Sequence, residues 1–202
     1  MALESRPSNL SELFELYYAR YKPIYNEIQT YNEMPIEMLF ELAAAWDHVS
    51  RHWHYNEAEN EAVEKAAGHL KRAVFDANKL ILKFTVDEYQ SFRNKPIDTT
   101  LIDNGGFERD MLLLLEEIRK EATEARLEEG KANNGWDAAF LAWDRVHQKC
   151  VALKEDYIFS SKVDWAERKT TQFSWRRRAE GFVIGVLASS AVGAIFWFFG
   201  GP

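Results

Sequence analysis

The chain has 202 residues, 28% of them charged and 14% aromatic, with a formal net charge of -7. So many aromatic residues argue against wholesale disorder, and the length suits one domain with a sizeable core. An acidic chain lacks the basic surface that a nucleic-acid backbone requires, so no nucleic acid is expected as a partner.

The charge is unevenly spread. Residues 1–161 hold 19 Lys and Arg against 29 Asp and Glu, whereas residues 162–180 hold 6 against 3. An acidic body is thus followed by a short basic segment. Cys150 is the single cysteine, which excludes an intramolecular disulfide and points to a reducing compartment. The N-terminus, Met-Ala-Leu-Glu-Ser-Arg-Pro-Ser, has neither the basic start nor the apolar run of a secretory signal.

In chain order, Leu10, Phe14, Tyr17, Tyr21, Ile24, Ile28 and Tyr31 alternate steps of four and three, the seam of an amphipathic helix. Ser8 or Ser11 is expected to cap it, and Pro23 to break or kink it near Lys22 by removing a backbone donor. A second helix is expected from Met34-Pro35, with Leu39, Leu42, Trp46, Val49 and Trp53 inward. Asn56 reads as the N-cap of a third, with the stripe Val63, Ala66, Leu70, Val74, Ala77, Ile81 and Phe84 fading toward Phe92.

Between Lys95 and Gly106 the turn formers Pro96, Asp98, Asn104, Gly105 and Gly106 predict a loop. A fourth helix follows from Phe107 to about Glu129, and the unbroken run Leu112–Leu115 predicts burial on more than one side near its start. Gly130 ends it. The fifth carries Trp136, Phe140, Trp143, Val146, Cys150, Leu153 and Tyr157 on one face. No stretch alternates as a half-buried strand would. The expected fold is all-α: an antiparallel bundle of long helices over residues 1–161, a basic helical stalk over 162–180, and one C-terminal transmembrane helix over 181–199.

That last segment carries nineteen residues without a charge. As a helix it would span about 28 Å, close to the hydrocarbon thickness of a bilayer. Gly181, Gly185, Ser189 and Gly193 recur every four residues, the small-residue face by which spans approach closely in lipid, so self-association is expected. Trp175 and Trp197 lie about 33 Å apart along a helix and would bracket the bilayer. Arg176, Arg177 and Arg178 abut the span on the body side, which by the positive-inside rule places the body in the cytoplasm.

Catalytic and metal-binding signatures are thin. His48 and His52 stand at i and i+4, the spacing of a helical zinc pair, with His69 or Glu41 as a third ligand. However, the inward stripe Trp46, Val49 and Trp53 would turn both histidines toward solvent, and His-Glu-x-x-His is absent, so no metal or cofactor is assigned. Asp144, His147 and Cys150 share the fifth helix, but a thiol on an apolar stripe is ordinary packing. No arginine precedes any histidine by four to six residues, the spacing many small helical nucleases use. Gly-rich phosphate loops and Gly-x-Ser-x-Gly are absent too, and Asp103-Asn104-Gly105-Gly106 is too short for a calcium loop.

The function expected is therefore that of a non-enzymatic, membrane-anchored interaction or signalling protein. Its partners would be the bilayer, copies of itself, and an unidentified protein or small molecule held by the bundle. It would act as an oligomerising membrane effector. The alternative is a membrane-tethered metal-binding or hydrolytic bundle built on the histidines.

Overall fold

A computed structural model describes residues 6–131 and 136–199, with the side chains of 136, 137, 188 and 191–199 left outside the description. Among the described residues every regular element is helical. In chain order they are α1 (Leu10–Leu16), a π-helical turn (Tyr17–Tyr21), α2 (Lys22–Gln29), α3 (Ile36–Tyr55), α4 (Glu59–Arg93), two 3-10 turns (Thr99–Leu101 and Asp103–Gly105), α5 (Gly106–Gly130), α6 (Trp136–Ala152), a second π-helical turn (Leu153–Ile158) and α7 (Ser161–Phe199).

α4 is the axis. Fourteen of its 35 residues are buried, and they fall on more than one face: Ala66, Leu70, Val74 and Ile81 belong to the predicted stripe, while Ala62, Ala67, Ala73 and Phe75 lie beside it. The alanines let neighbouring backbones come close, and the helix is covered from several sides as a central helix must be. From α3 to α6 each helix runs antiparallel to the one before it. Glu41 reaches His69 and Arg72 across α3 and α4. Phe92 meets Phe107, and Lys79 pairs with Glu129, across α4 and α5. Lys149 pairs with Glu117 and Glu121 across α5 and α6. Phe75 packs on Phe140, so α4 and α6 lie side by side.

The first helix forms, but its stripe is not the one periodicity predicts. Leu13 and Leu16 are buried ahead of Tyr21, Ile24 and Ile28, while Phe14 is exposed. The step from Leu16 to Tyr21 is five residues, and the π turn absorbs it, with the Lys22 N–H bonding the Tyr17 carbonyl. Pro23, which brings no N–H, follows directly, so its break appears as a widened turn just upstream. The cap is Asn9, whose side chain accepts from the Glu12 N–H, while the Glu12 carboxylate accepts from the Ser8 N–H and hydroxyl. This reciprocal cap replaces the expected Ser8 or Ser11.

Three further expectations are corrected. Asn56 is not an N-cap: it ends α3 in the left-handed conformation at φ 55°, which asparagine tolerates, and α4 starts after Ala58. On α3 the buried line is Met38, Ala45 and Val49, so Trp46 and Trp53 are outside, at 56% and 59% exposure. Close approach to α4 selects the small face of α3 and rotates the bulky indoles away. Leu112 and Leu113 are likewise exposed, because only the Met111–Leu115–Ile118 line of α5 faces the bundle.

α7 is one continuous helix of 39 residues, about 58 Å long. Val163 and Ala166 are buried against the bundle, Thr170 accepts a hydrogen bond from the Asp98 N–H, and residues 171–187 are exposed throughout. The expected stalk and span thus share a single helix. Among the described residues no helix is long and apolar enough to cross a membrane. Gly193 and Trp197 lie outside the residues whose side chains are described.

Trp143, fully buried, and Trp53, exposed, discriminate this core from the one that periodicity predicts. Trp143→Ala is expected to lose about 3–5 kcal/mol of stability. Trp53→Ala should change it by less than about 0.5 kcal/mol. Denaturant unfolding followed by far-ultraviolet circular dichroism separates the two; equal losses would refute the assignment.

Candidate functional site

Three constellations have the chemistry of a site. The first lies where α3 crosses α4. His48 and His69 stack with ring centroids 5.3 Å apart, and His69 Nδ1 stands 2.6 Å from Glu41 Oε2. Arg72 Nε donates to both Glu41 oxygens at 3.2 Å, and its Nη2 lies 2.6 Å from His69 Nδ1. The rotation of α3 that exposes the tryptophans brings His48 and His52 to half-buried positions, not to the solvent flank.

The candidate ligands then part company. His52 Nδ1 is engaged 2.8 Å from the Glu57 carbonyl, and Glu41 is held by Arg72 and His69. Among the described residues no three His, Cys, Asp or Glu side chains stand where one metal ion would be held. Burial, with the neighbouring His69 and Arg51, holds His48 below the usual imidazole range, and its Nδ1 finds no hydrogen-bond partner among the described residues. This corner is a histidine stack beside a carboxylate–guanidinium pair.

The second constellation is a polar line between the first helical arm and α6. Arg20 Nη1 meets both oxygens of Asp144 at 2.6 and 2.7 Å. Glu27 Oε2 is 2.7 Å from His147 Nε2 and Glu27 Oε1 is 3.7 Å from Lys154 Nζ, while Lys154 also donates to the Tyr31 hydroxyl. Lys154 sits in the second π turn, 13% exposed. Glu88 faces the same ammonium electrostatically, yet one of its oxygens is buried without a partner among the described residues.

Sequence reasoning flagged Asp144, His147 and Cys150 together, but the structure separates them. Asp144 and His147 point to Arg20 and Glu27, and the Cys150 thiol is pushed up to about 11 by burial, despite a hydrogen bond with Thr85. A thiol in that state is a packing group and not a nucleophile.

The third is an apolar groove of about 480 Å³ between the first helix and α3. Buried Leu13, Ala45, Val49 and Leu70 form its floor, and Phe14, Tyr18 and Trp46 stand exposed at its mouth. Periodicity missed it because Phe14 and Trp46 read as core. The available signal was the surplus of aromatic residues on α3, where Phe40, Trp46, Trp53 and Tyr55 exceed what one buried stripe can hold.

On α7, Trp175 is 71% exposed, and Arg176, Arg177 and Arg178 are exposed without an ion pair among the described residues. A side chain at Gly181 or Gly185 would meet nothing within 4 Å. Ser189 Oγ donates to the Gly185 carbonyl at 2.8 Å, so its hydroxyl is satisfied within the helix, not held out for a neighbour.

The polar line predicts opposite pH effects from its two glutamates. Burial pushes Glu27 upward, but His147 and Lys154 outweigh it and leave the carboxyl below its ordinary range. Its stabilisation is present above the unfolded pKa and lost as pH falls through the folded one. Glu27→Gln should therefore cost about 1–3 kcal/mol at pH 7, less than a fully buried pair, and the cost should vanish in acid. Burial raises Glu88, so its charge opposes folding at neutral pH. Glu88→Gln should raise stability at pH 7 and change nothing below the carboxylate range, as measured by denaturation across pH 3–8. No protein-family model, curated protein or solved structure matches this chain.

Proposed function

We propose that this chain is a membrane-anchored helical interaction protein. Its bundle takes a partner or small ligand on the cytoplasmic side, and its C-terminal segment anchors it in the bilayer and packs copies side by side. The observation that carries this reading is the nineteen-residue uncharged run, Gly181–Phe199, at the end of a helix rooted in the bundle. A backbone that continues as one helix into lipid satisfies its own hydrogen bonds, which the hydrocarbon phase demands. The back-bonded Ser189 hydroxyl suits the same environment.

Arg176, Arg177 and Arg178 supply the basic collar that anionic head groups attract, and Trp175 the interfacial aromatic. Gly181, Gly185, Ser189 and Gly193 supply the close-packing face. Open space around Gly181 and Gly185 in the single chain means that no packing inside it calls for glycine there. Residues 171–180 are exposed on all sides yet helical, and a rod of that kind carries rotation of the bundle to the span. Ligand or partner binding would then reorder the spans, which is effector behaviour.

Two measurements test this. The full chain should resist alkaline extraction from membranes, whereas a chain ending at Glu180 should be soluble and retain its helical signal; extraction of the full chain would refute the anchor. Gly185→Leu combined with Gly193→Leu should abolish crosslinked dimers in the membrane, with the bundle's melting unchanged. Undiminished crosslinking would refute assembly through this face and leave the anchor standing.

A further inference from the structure

We propose that the groove between the first helix and α3 is a binding site for a small, uncharged aliphatic molecule, a single lipid-like chain with a hydroxyl or ester head. Its size fits: about 480 Å³ lies within the roughly 300–1,000 Å³ of small-molecule sites. Its shape fits a chain, because one wall runs along α3 from Leu39 to Val49, about 15 Å of helix.

Charge complementarity fixes the ligand class. Among the described residues no Asp, Glu, Lys, Arg or His lines the groove. A carboxylate or phosphate drawn inside would lose its hydration with no counter-charge in return. Among the described lining residues Tyr17, Tyr18 and Trp46 carry polar side-chain atoms, phenols and an indole N–H, of the kind that suits a neutral oxygen. Lys22 Nζ lies 5.2 Å from the Tyr18 ring centroid and is not part of the lining.

The site deepens the proposed function by giving the bundle a ligand that a bilayer can deliver, and only that route rests on the membrane reading. The groove itself lies wholly within the bundle. Its occupation would also cover three aromatic side chains that water now wets.

The test uses the full chain in phosphatidylcholine nanodiscs and a long-chain alcohol carrying a diazirine. After irradiation, adducts should map to residues 13–18 and 39–49. Ala43→Trp fills the groove from its exposed side, and Trp46→Ala removes a wall; each should cut that labelling about tenfold while circular dichroism is unchanged. Unlabelled dodecanol should compete, and dodecanoate at the same concentration should not.

Labelling that ignores both variants, or that avoids these residues, overturns the proposal. So does stronger competition by dodecanoate. Adducts on residues 181–199 report the anchor separately: groove labelling without them would sink the membrane reading and leave the site, and the reverse would sink the site alone.

Discussion

The bundle depends on the burial of α4 from several sides at once. A helix whose alanines and large apolar residues share its circumference cannot remain at a surface. It needs α3, α6 and the first helical arm against it, and small residues where their backbones come closest. Those demands decide the rest. α3 must present Met38, Ala45 and Val49, and so must carry its tryptophans outward. The first arm must bury Leu16 and Tyr21 five residues apart, and so must contain a π turn. The groove is what remains when a helix rich in aromatic residues packs through its small face.

A second constraint comes from the charges trapped by that packing. Arg20–Asp144 and Glu27–His147 link the first arm to α6, and Lys154 gathers Glu27 and Tyr31. Such pairs add little net stability, since removal from water consumes most of the attraction. Their effect is positional: a slipped register would leave several half-buried charges alone. The π turn of Leu153–Ile158 sets Lys154 at the end of this line. Glu88 is the member left without a hydrogen bond for one of its oxygens, so the line carries strain of its own.

The histidines show why spacing alone misleads. His48 and His52 keep the i, i+4 relation of a zinc pair, and His69 does come to His48. Yet Glu57 and Glu41 engage His52 and His69 first, through a carbonyl and a carboxylate that no local pattern predicts. Likewise Cys150, His147 and Asp144 share a helix and diverge, because each answers to a different neighbour across the bundle.

Helix existence, order and approximate ends were legible in the sequence, because apolar spacing, Pro35, Gly130 and the breaker cluster at 96–106 act over a few residues. The α4 and α6 stripes were legible too, since from Val63 to Ile81 and from Phe140 to Leu153 periodicity and burial coincide. The uncharged run at 181–199 and the arginines that precede it are properties of the sequence alone, because they depend on the composition of one segment. Only tertiary structure decided which face of α3 lies inward, that the first helix re-registers at Tyr17–Tyr21, and that Asn56 closes one helix instead of opening the next. The physical reason is common to all three: a helix with apolar residues over more than one face has several stripes to offer, and the shape of its neighbour selects among them.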